Sequence, residues 1–484
     1  MTLYAGIDMG TSGVRIVLAD GADKIHAEAS VALEVDRPHP GWSQQHPDLW
    51  WQATGKAFEQ LAAEYPRLMA RIAGIGLSGQ MLGSVLVDKN DRPTHTCILW
   101  NDQRALAECK ELLARVPDMG MRTAGTPDPG FTAPKLLWLA RHVPEALERA
   151  EILMLPKDYV RLCLTGEHAS EPSDAAGTLL LDCKSRSWDA ELAEAAGWGL
   201  NRLPTLVASH EQAGTLRVSL QQRWGIEKPV PVAAGAGDNM ACALGVGATK
   251  PGDAVVTLGT SGVLCIVDRK FHPVPQSAVF TNPHGAPGTY LSMGVVMSAT
   301  QSLEWISSLC AIPVPQLAAK VDELVAREGI GHLPVMRPSI TGIRTPHNRP
   351  DAGAAICDIG AGTDAAALAY AVMEGVAFQF FDCLRAQTGA GVPLDRVTAV
   401  GGGSQNHLWV QLVATLFDKS IVLPKASSAS AALGAARLAS VAAGDFSVAE
   451  ALSRKPSRAT IIEPNHQLAD LLEERYTRFC ELPK

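Results

Sequence analysis

At 484 residues the chain is too long for one compact core, so roughly two to four domains are expected, and its composition (47% hydrophobic, 19% charged) is that of a globular protein. The net charge is −8, with no Lys/Arg block, which argues against a nucleic-acid or anionic-membrane partner. Ten scattered cysteines form no C-x-x-C and 13 histidines no H-E-x-x-H, so reduced cytoplasmic thiols are expected and a transition-metal site is not.

The start, MTLYAGID, lacks the basic and apolar regions of a signal peptide. Next comes GIDMGTSGVR, residues 6–15: an apolar strand, a carboxylate (Asp8), a turn of Gly, Thr, Ser and Gly, and a second apolar strand. Such residues are ordinary in hairpins. Their backbone N–H groups also make anion-binding nests, and glycine lets the backbone approach a phosphate. Asp8 beside that turn suits Mg²⁺, bound directly or through water, with a turn-capping aspartate as the plain alternative.

DGAD then leads into a third strand, KIHAEASVALEV, and a helix is expected near PDLWWQATGKAFEQLAAEY. GIGLSG, residues 74–79, matches the dinucleotide pattern G-x-G-x-x-G. The next residues, QMLGSVLVDKND, read as strand and turn rather than a pyrophosphate-binding helix, so the dinucleotide reading is set aside. No G-x-x-x-x-G-K-[ST] occurs either. Strands flank the turn in SVLVDKNDRPTHTCILW, and ILWNDQR, residues 98–104, presents Trp100, Asp102 and Arg104. An indole face among hydrogen-bonding groups suits a sugar; a packing tryptophan beside an ion pair is the alternative.

In AGAGDNM, Asp238 stands on a small-residue loop with Asn239 beside it, placed to meet a hydroxyl and accept its proton; a loop aspartate that bonds its own backbone is the alternative. The surrounding glycine-dense stretch puts a lobe boundary near residues 235–250. The pentapeptide GTSGV of Gly10–Val14 then recurs at Gly259–Val263, 249 residues later and close to half the chain length. Matching flanks make this a duplication, with a polyphosphate gripped from both sides. The apolar run AAALAYAVMEGVAFQFF is interrupted by Glu374 and preceded by Asp364, which predicts a buried helix. The second half ends with VTAVGGGSQNHLWVQLVATLF and the helix SAALGAARLASVAAG. This alternation predicts helices on a largely parallel sheet.

From about residue 5 to about residue 440 the chain resembles the FGGY family of carbohydrate kinases, within the actin-like and ribonuclease-H-like ATPases. The resemblance rests on GIDMGTSGVR, RPHPGWSQQHPDLWWQA, GLSGQMLGS, ILWNDQR, GFTAPKLLWL, LPKDYVRLCLTGE, SDAAGTLLLD, AGAGDN, TLGTSGV, RTPHNRP, EGVAF, GGGSQN and ALGAARLA, in order across both halves. It implies an α/β fold of two duplicated actin-like lobes with an interlobe cleft. Residues 1–245 would hold the sugar and the first phosphate turn, and residues 246–484 the second turn and the adenosine. It implies ATP and Mg²⁺ as cofactors, Asp238 as catalytic base and Asp8 as metal-associated carboxylate. Thr11, Ser12, Gly13 and Arg15 would line one phosphate turn, Gly259 and Thr260 the other, and Gly402 and Asn406 the adenosine. Gln80, Met81, Leu82, Trp100, Asp102 and Asn239 would form the sugar pocket. The acceptor implied is a ketopentose, D-xylulose first, with D-ribulose or a polyol as alternatives and a homodimer as the assembly. An actin-like ATPase switch without a sugar, a nicotinamide oxidoreductase and an inactive sugar-binding regulator are the competing readings. Three departures stand out: Leu82 where related kinases have a sugar-facing His, Ile343 in place of a glutamate, and SSAS before AALGAA in place of an acidic residue.

Overall fold

A computed structural model describes residues 1–425, 429–456 and 459–483. Two mixed sheets form its halves, and six strands of each share one pairing pattern. In the first, Leu3–Met9 pairs antiparallel with Gly13–Asp20, which pairs antiparallel with Ile25–Ala32. On its other side Leu3–Met9 runs parallel to Ile72–Gly79, then come Pro231–Ala233 in parallel and Gln212–Thr215 antiparallel. In the second, Asp253–Leu258, Gly262–Asp268 and Tyr290–Val296 repeat the antiparallel meander. Arg396–Val400 and Ile421–Pro424 repeat the parallel pair, and Ala459–Ile462 the antiparallel edge. The repeated GTSGV thus opens the second strand of each sheet. The expectation of largely parallel sheets is corrected to mixed ones. A turn as tight as GTSG can only return the chain antiparallel, whereas parallel neighbours need a long crossover.

The predicted first helix is Pro47–Glu64, and GIGLSG lies wholly within the strand Ile72–Gly79 with no helix directly after it. The apolar run forms Ala365–Gly389, started by Asp364, whose carboxylate accepts from the Ala367 N–H. Among the described residues it is the single helix long and apolar enough to cross a bilayer, and its most apolar stretch is 83% buried inside the protein. Glu374 within it is fully buried and bound at 2.6 and 2.7 Å by Arg475 of the helix Ala469–Glu481. A burial this complete leaves a carboxylate viable only when paired.

The first sheet is buried on both faces. Leu3, Ala5, Ile7 and Ile16 pack with Trp50 and Phe58 of the first helix. The other face, with Tyr4 and Ala19, meets Leu433, Ala436 and Ala439 of the helix Ser430–Ala442. That helix lies between two strands of the second sheet in sequence, Ile421–Pro424 and Ala459–Ile462, yet packs on the first. Contact is backbone to backbone: a Cβ on Gly6 would lie 1.9 Å from the Ala432 carbonyl oxygen, and one on Gly76 2.0 Å from that of Ala435. The same helix crosses Asp238–Gly245, where Gly245 abuts the Ser430 carbonyl and Gly434 that of Ala241. The first two serines of SSAS, Ser427 and Ser428, lie outside the described residues.

Candidate active site

Strand register assembles the carboxylates. Asp8 lies opposite Ser78, and Ser78 opposite Ala236 of the two-residue strand Ala236–Gly237, so three neighbouring strands present one row. The Ser78 hydroxyl donates to Asp8 Oδ1 at 3.0 Å. Two residues beyond Ala236, Asp238 begins the helix Asp238–Gly245, and the Gly237 N–H before it donates to Ser173 Oγ at 3.3 Å. Asp238 Oδ1 accepts the Asn239 N–H at 2.7 Å and the Asn239 side-chain amide at 2.9 Å. These bonds favour the charged form, as a helix start does. Burial, and after it the Asp8 charge, outweigh them and push the Asp238 carboxyl up to about 7. Burial also raises Asp8, against the Ser78 bond and the positive charge of Arg15, its cross-strand neighbour. The Cys242 thiol is pushed up to about 12 by burial, then by Asp8 and Asp238. Cys265, on the second sheet's hairpin, is raised by burial, then by Cys242 and Asp238.

A second group sits next to the first. The Gln80 N–H donates to the Met9 carbonyl at 2.8 Å. Its side-chain oxygen accepts from Thr11 Oγ1 at 2.9 Å, and Thr11 Oγ1 accepts from the Trp100 indole at 3.0 Å. Gln45, a residue sequence reasoning passed over, ties this together. Its Nε2 donates to the Thr11 carbonyl, and its Oε1 accepts from both Trp50 Nε1 and Gln80 Nε2 at 3.0 Å. Its one signal in the sequence is its place within the family-like stretch RPHPGWSQQHPDLWWQA. Trp100 is 37% exposed. Asp102 is fully buried, and its two oxygens accept from the Ser43 N–H, the Arg104 N–H and the Arg104 guanidinium. Arg104 in turn lies 3.8 Å over the Trp42 ring. Met81 packs its sulfur on Gly237. Leu82 holds φ at 72°, a strained value for a branched side chain, with its side chain against Gly177. Its carbonyl accepts from Lys135 Nζ at 3.0 Å and Thr132 Oγ1 at 2.9 Å.

The two GTSG turns carry their hydroxyl residues at the tips. In the first, the Gly10 N–H donates to the Gly13 carbonyl at 2.9 Å, and Ser12 is exposed. A side chain on Gly13 would meet the Val31 carbonyl at 2.9 Å. In the second, Thr260 is exposed, and its carbonyl accepts the Ala299 N–H at 2.8 Å while that of Gly259 accepts the Thr300 N–H at 2.9 Å. Gly401, at φ 94°, and Gly403 close on Leu258, the residue before this turn. Gly402 between them is exposed with open space beside it. Asn406 Oδ1 caps the helix His407–Phe417 through the Trp409 N–H. Three groups therefore exist: the carboxylates with Asn239, the Thr11–Gln80–Trp100 network, and Gly259 and Thr260 with Gly402 and Asn406.

Residues 3–245 match the N-terminal domain, and residues 254–443 the C-terminal domain, of the FGGY family of carbohydrate kinases. Xylulose kinase of Escherichia coli K12 is 38% identical over 457 residues, 94% of this chain and 93% of that one. The crystal structure of a xyloylose kinase from Brucella ovis superposes with a TM-score of 0.94 at 42% identity, covering 99% of this chain and 98% of that one. Plasmodium falciparum glycerol kinase with ADP shares the fold at a TM-score of 0.88 and 19% identity, over 99% and 98% of the two chains. The chain belongs to the FGGY family of carbohydrate kinases, whose members act on a sugar and ATP.

Proposed function

We propose that this FGGY kinase transfers the γ-phosphoryl group of ATP to a ketopentose, D-xylulose first, giving D-xylulose 5-phosphate with Asp238 as general base. The observation that carries this reading is Asp238, a carboxylate at a helix start whose proton affinity burial and Asp8 bring to about 7. A base tuned there is charged enough to accept a proton and basic enough to pull it. The relatives named for xylulose phosphorylation support the acceptor.

Asn239 holds Asp238 Oδ1 with two hydrogen bonds, which leaves Oδ2 for the sugar's terminal hydroxyl. The hydroxyl proton passes to that oxygen as the sugar oxygen attacks the γ-phosphorus in line, and ADP departs with the electrons of the broken P–O bond. Backbone N–H groups of the two turns, the Thr260 hydroxyl and Arg15 stabilise charge on the phosphoryl oxygens. Gly402 and Asn406 flank the adenosine. Trp100, Gln80, Met81, Leu82 and Asn239 face the sugar, with Thr11 joining them to the first turn. Asp102 is expected among these contacts, but its oxygens are taken by Ser43 and Arg104, so we assign it to holding the Trp100 loop.

Magnesium fits this donor set. Mg²⁺ asks for one or two carboxylates with phosphate and water completing its shell, and Asp8 stands at the end of the strand that leads into the first phosphate turn. Asp8 would hold it, and when bound it neutralises phosphate charge. We read residues 1–245 and 246–484 as the two lobes, with Ser430–Ala442 lent from the second to the first. Cytoplasmic residence agrees with ten unpaired cysteines. A homodimer is the assembly proposed, on family grounds.

Leu82 favours a second acceptor reading. It puts an apolar side chain where related kinases carry a hydrogen-bonding histidine, and one lost polar contact shifts substrate choice by orders of magnitude. The test is sugar-dependent ADP formation from Mg-ATP across D-xylulose, L-xylulose, D-ribulose, L-ribulose, glycerol, xylitol and D-arabitol. A dominant rate with D-xylulose is expected. Dominance of another acceptor overturns the sugar and keeps the chemistry, and ATP hydrolysis indifferent to every sugar overturns the kinase reading of this site.

A further inference from the structure

A cavity of about 380 Å³ lies in the second half of the chain, apart from every residue of the kinase site. Its walls come from the strand Val335–Arg337, the 343–347 segment, the helix Ala365–Gly389 and the C-terminal helix Ala469–Glu481. Arg337 in this wall is 3% exposed. Only its Nη1 is used, donating to the Leu482 carbonyl at 3.1 Å, while Nε and Nη2 are buried without a partner. Those two nitrogens share one edge of the planar guanidinium, the fork that grips a carboxylate or phosphate with two parallel bonds. Gln379, across the cavity wall, donates from Nε2 to Ser339 Oγ at 2.9 Å and leaves Oε1 buried and unpartnered. Buried polar groups left unpaired are costly, and two of opposite character line one cavity.

The pair specifies a ligand. The Arg337 fork asks for an oxyanion, and Gln379 Oε1 asks for a donor such as a hydroxyl. Arg385 adds a second cation, donating to Tyr476 Oη at 3.4 Å. Asp382, in the same wall, accepts from the Tyr476 hydroxyl. The volume exceeds what a bare phosphate fills, since a liquid water occupies about 30 Å³. We propose that this cavity binds a phosphorylated polyol, a sugar phosphate of three to five carbons, with its phosphate on the Arg337 fork and a hydroxyl on Gln379 Oε1.

Isothermal titration of the full-length protein with D-ribose 5-phosphate, D-ribose and inorganic phosphate tests it. One-to-one binding of D-ribose 5-phosphate is expected, at least about tenfold tighter than either D-ribose or phosphate. Arg337→Lys, which cannot present the fork, and Gln379→Leu, which keeps Arg337 in place, should each weaken it about tenfold or more. Trp100→Ala, in the kinase site, should leave it unchanged. Sensitivity to Trp100→Ala would put the binding in the kinase site and overturn the proposal. Phosphate binding as tightly as the sugar phosphate overturns the polyol part. No binding, or unchanged affinity in both cavity variants, overturns it outright. No arm depends on which sugar the kinase phosphorylates.

Discussion

Asp8 acts on Asp238 through its charge: after burial, it is the second cause that pushes the Asp238 carboxyl up to about 7. The proposed base is then protonated, and therefore idle, below neutrality. The kcat/KM for the sugar should fall as pH drops through about 7 and level off above it. Asp238→Asn should retain nucleotide binding and lose about 10²–10⁴-fold in turnover. Near-normal turnover in that variant would refute the assignment.

The same shift has a stability consequence, with its sign fixed by linkage. Asp238 has a folded-state affinity above its ordinary value of 3.8, so between about pH 4 and about pH 7 the folded chain binds the extra proton. Stability from this group is therefore lost as pH rises through that window. Asp238→Asn cannot acquire the charge, and should raise the thermal midpoint at pH 8 by about 2 °C or more while changing it little at pH 4. Equal shifts at both pH values would trace the effect to packing instead.

Gln45 is 1% exposed, and its Oε1 is the acceptor for both Trp50 and Gln80. Gln45→Leu strands two buried donors at about 1–3 kcal/mol each. It also frees Gln80, and through it Thr11 and the Trp100 indole. The expected result is a lower thermal midpoint together with a sugar KM raised about tenfold, the equivalent of about 1.4 kcal/mol. An unchanged KM in a destabilised variant would confine Gln45 to the core.

Legibility in the sequence depends on how local each feature is. The duplicated hairpins were legible because GTSGV keeps its letters, and a tight turn of that composition needs no distant partner. Asp8 and Asp238 stood out because each lies within two residues of glycines at a strand end. Gln45 was not, since a glutamine gains meaning only from Trp50, Gln80 and Thr11, which the fold gathers. Asp102 had two readings, sugar contact or ion pair with Arg104, and the Ser43 N–H that fills the rest of its carboxylate comes from 59 residues upstream. Nothing in SAALGAARLASVAAG announced that its small residues serve close contact with the other half's sheet rather than helix propensity alone.

Leu82 offers a test of specificity. Its backbone is already left-handed at φ 72°, and its carbonyl is fixed by Lys135 and Thr132, so the side chain can change while the loop stays. Leu82→His restores a hydrogen-bonding group beside Gln80 and Met81. The ratio of kcat/KM for D-xylulose over D-ribulose should rise about tenfold or more, as a gained polar contact permits. A fall in both values without a change of ratio would make Leu82 a packing residue.

The helix crossing carries the last prediction. Gly245 and Gly434 face each other across two helices: a Cβ on Gly245 would lie 1.8 Å from the Ser430 oxygen, and one on Gly434 1.9 Å from that of Ala241. Neither contact can yield by rotating a side chain, because both obstacles are backbone. An alanine at either site must push the helices apart, at about 1–3 kcal/mol or more. Asp238 opens one of these helices, so separation also displaces the proposed base, and misplacement of about 1 Å can cost about 10²-fold in rate. Gly245→Ala and Gly434→Ala should each lower both the thermal midpoint and kcat, whereas Gly389→Ala, with open space around it, should do neither. Because the two glycines relieve one crossing, the double variant should lose less than the sum of the single losses. Full additivity would show that the contacts act separately, and that the crossing does not hold Asp238 in place.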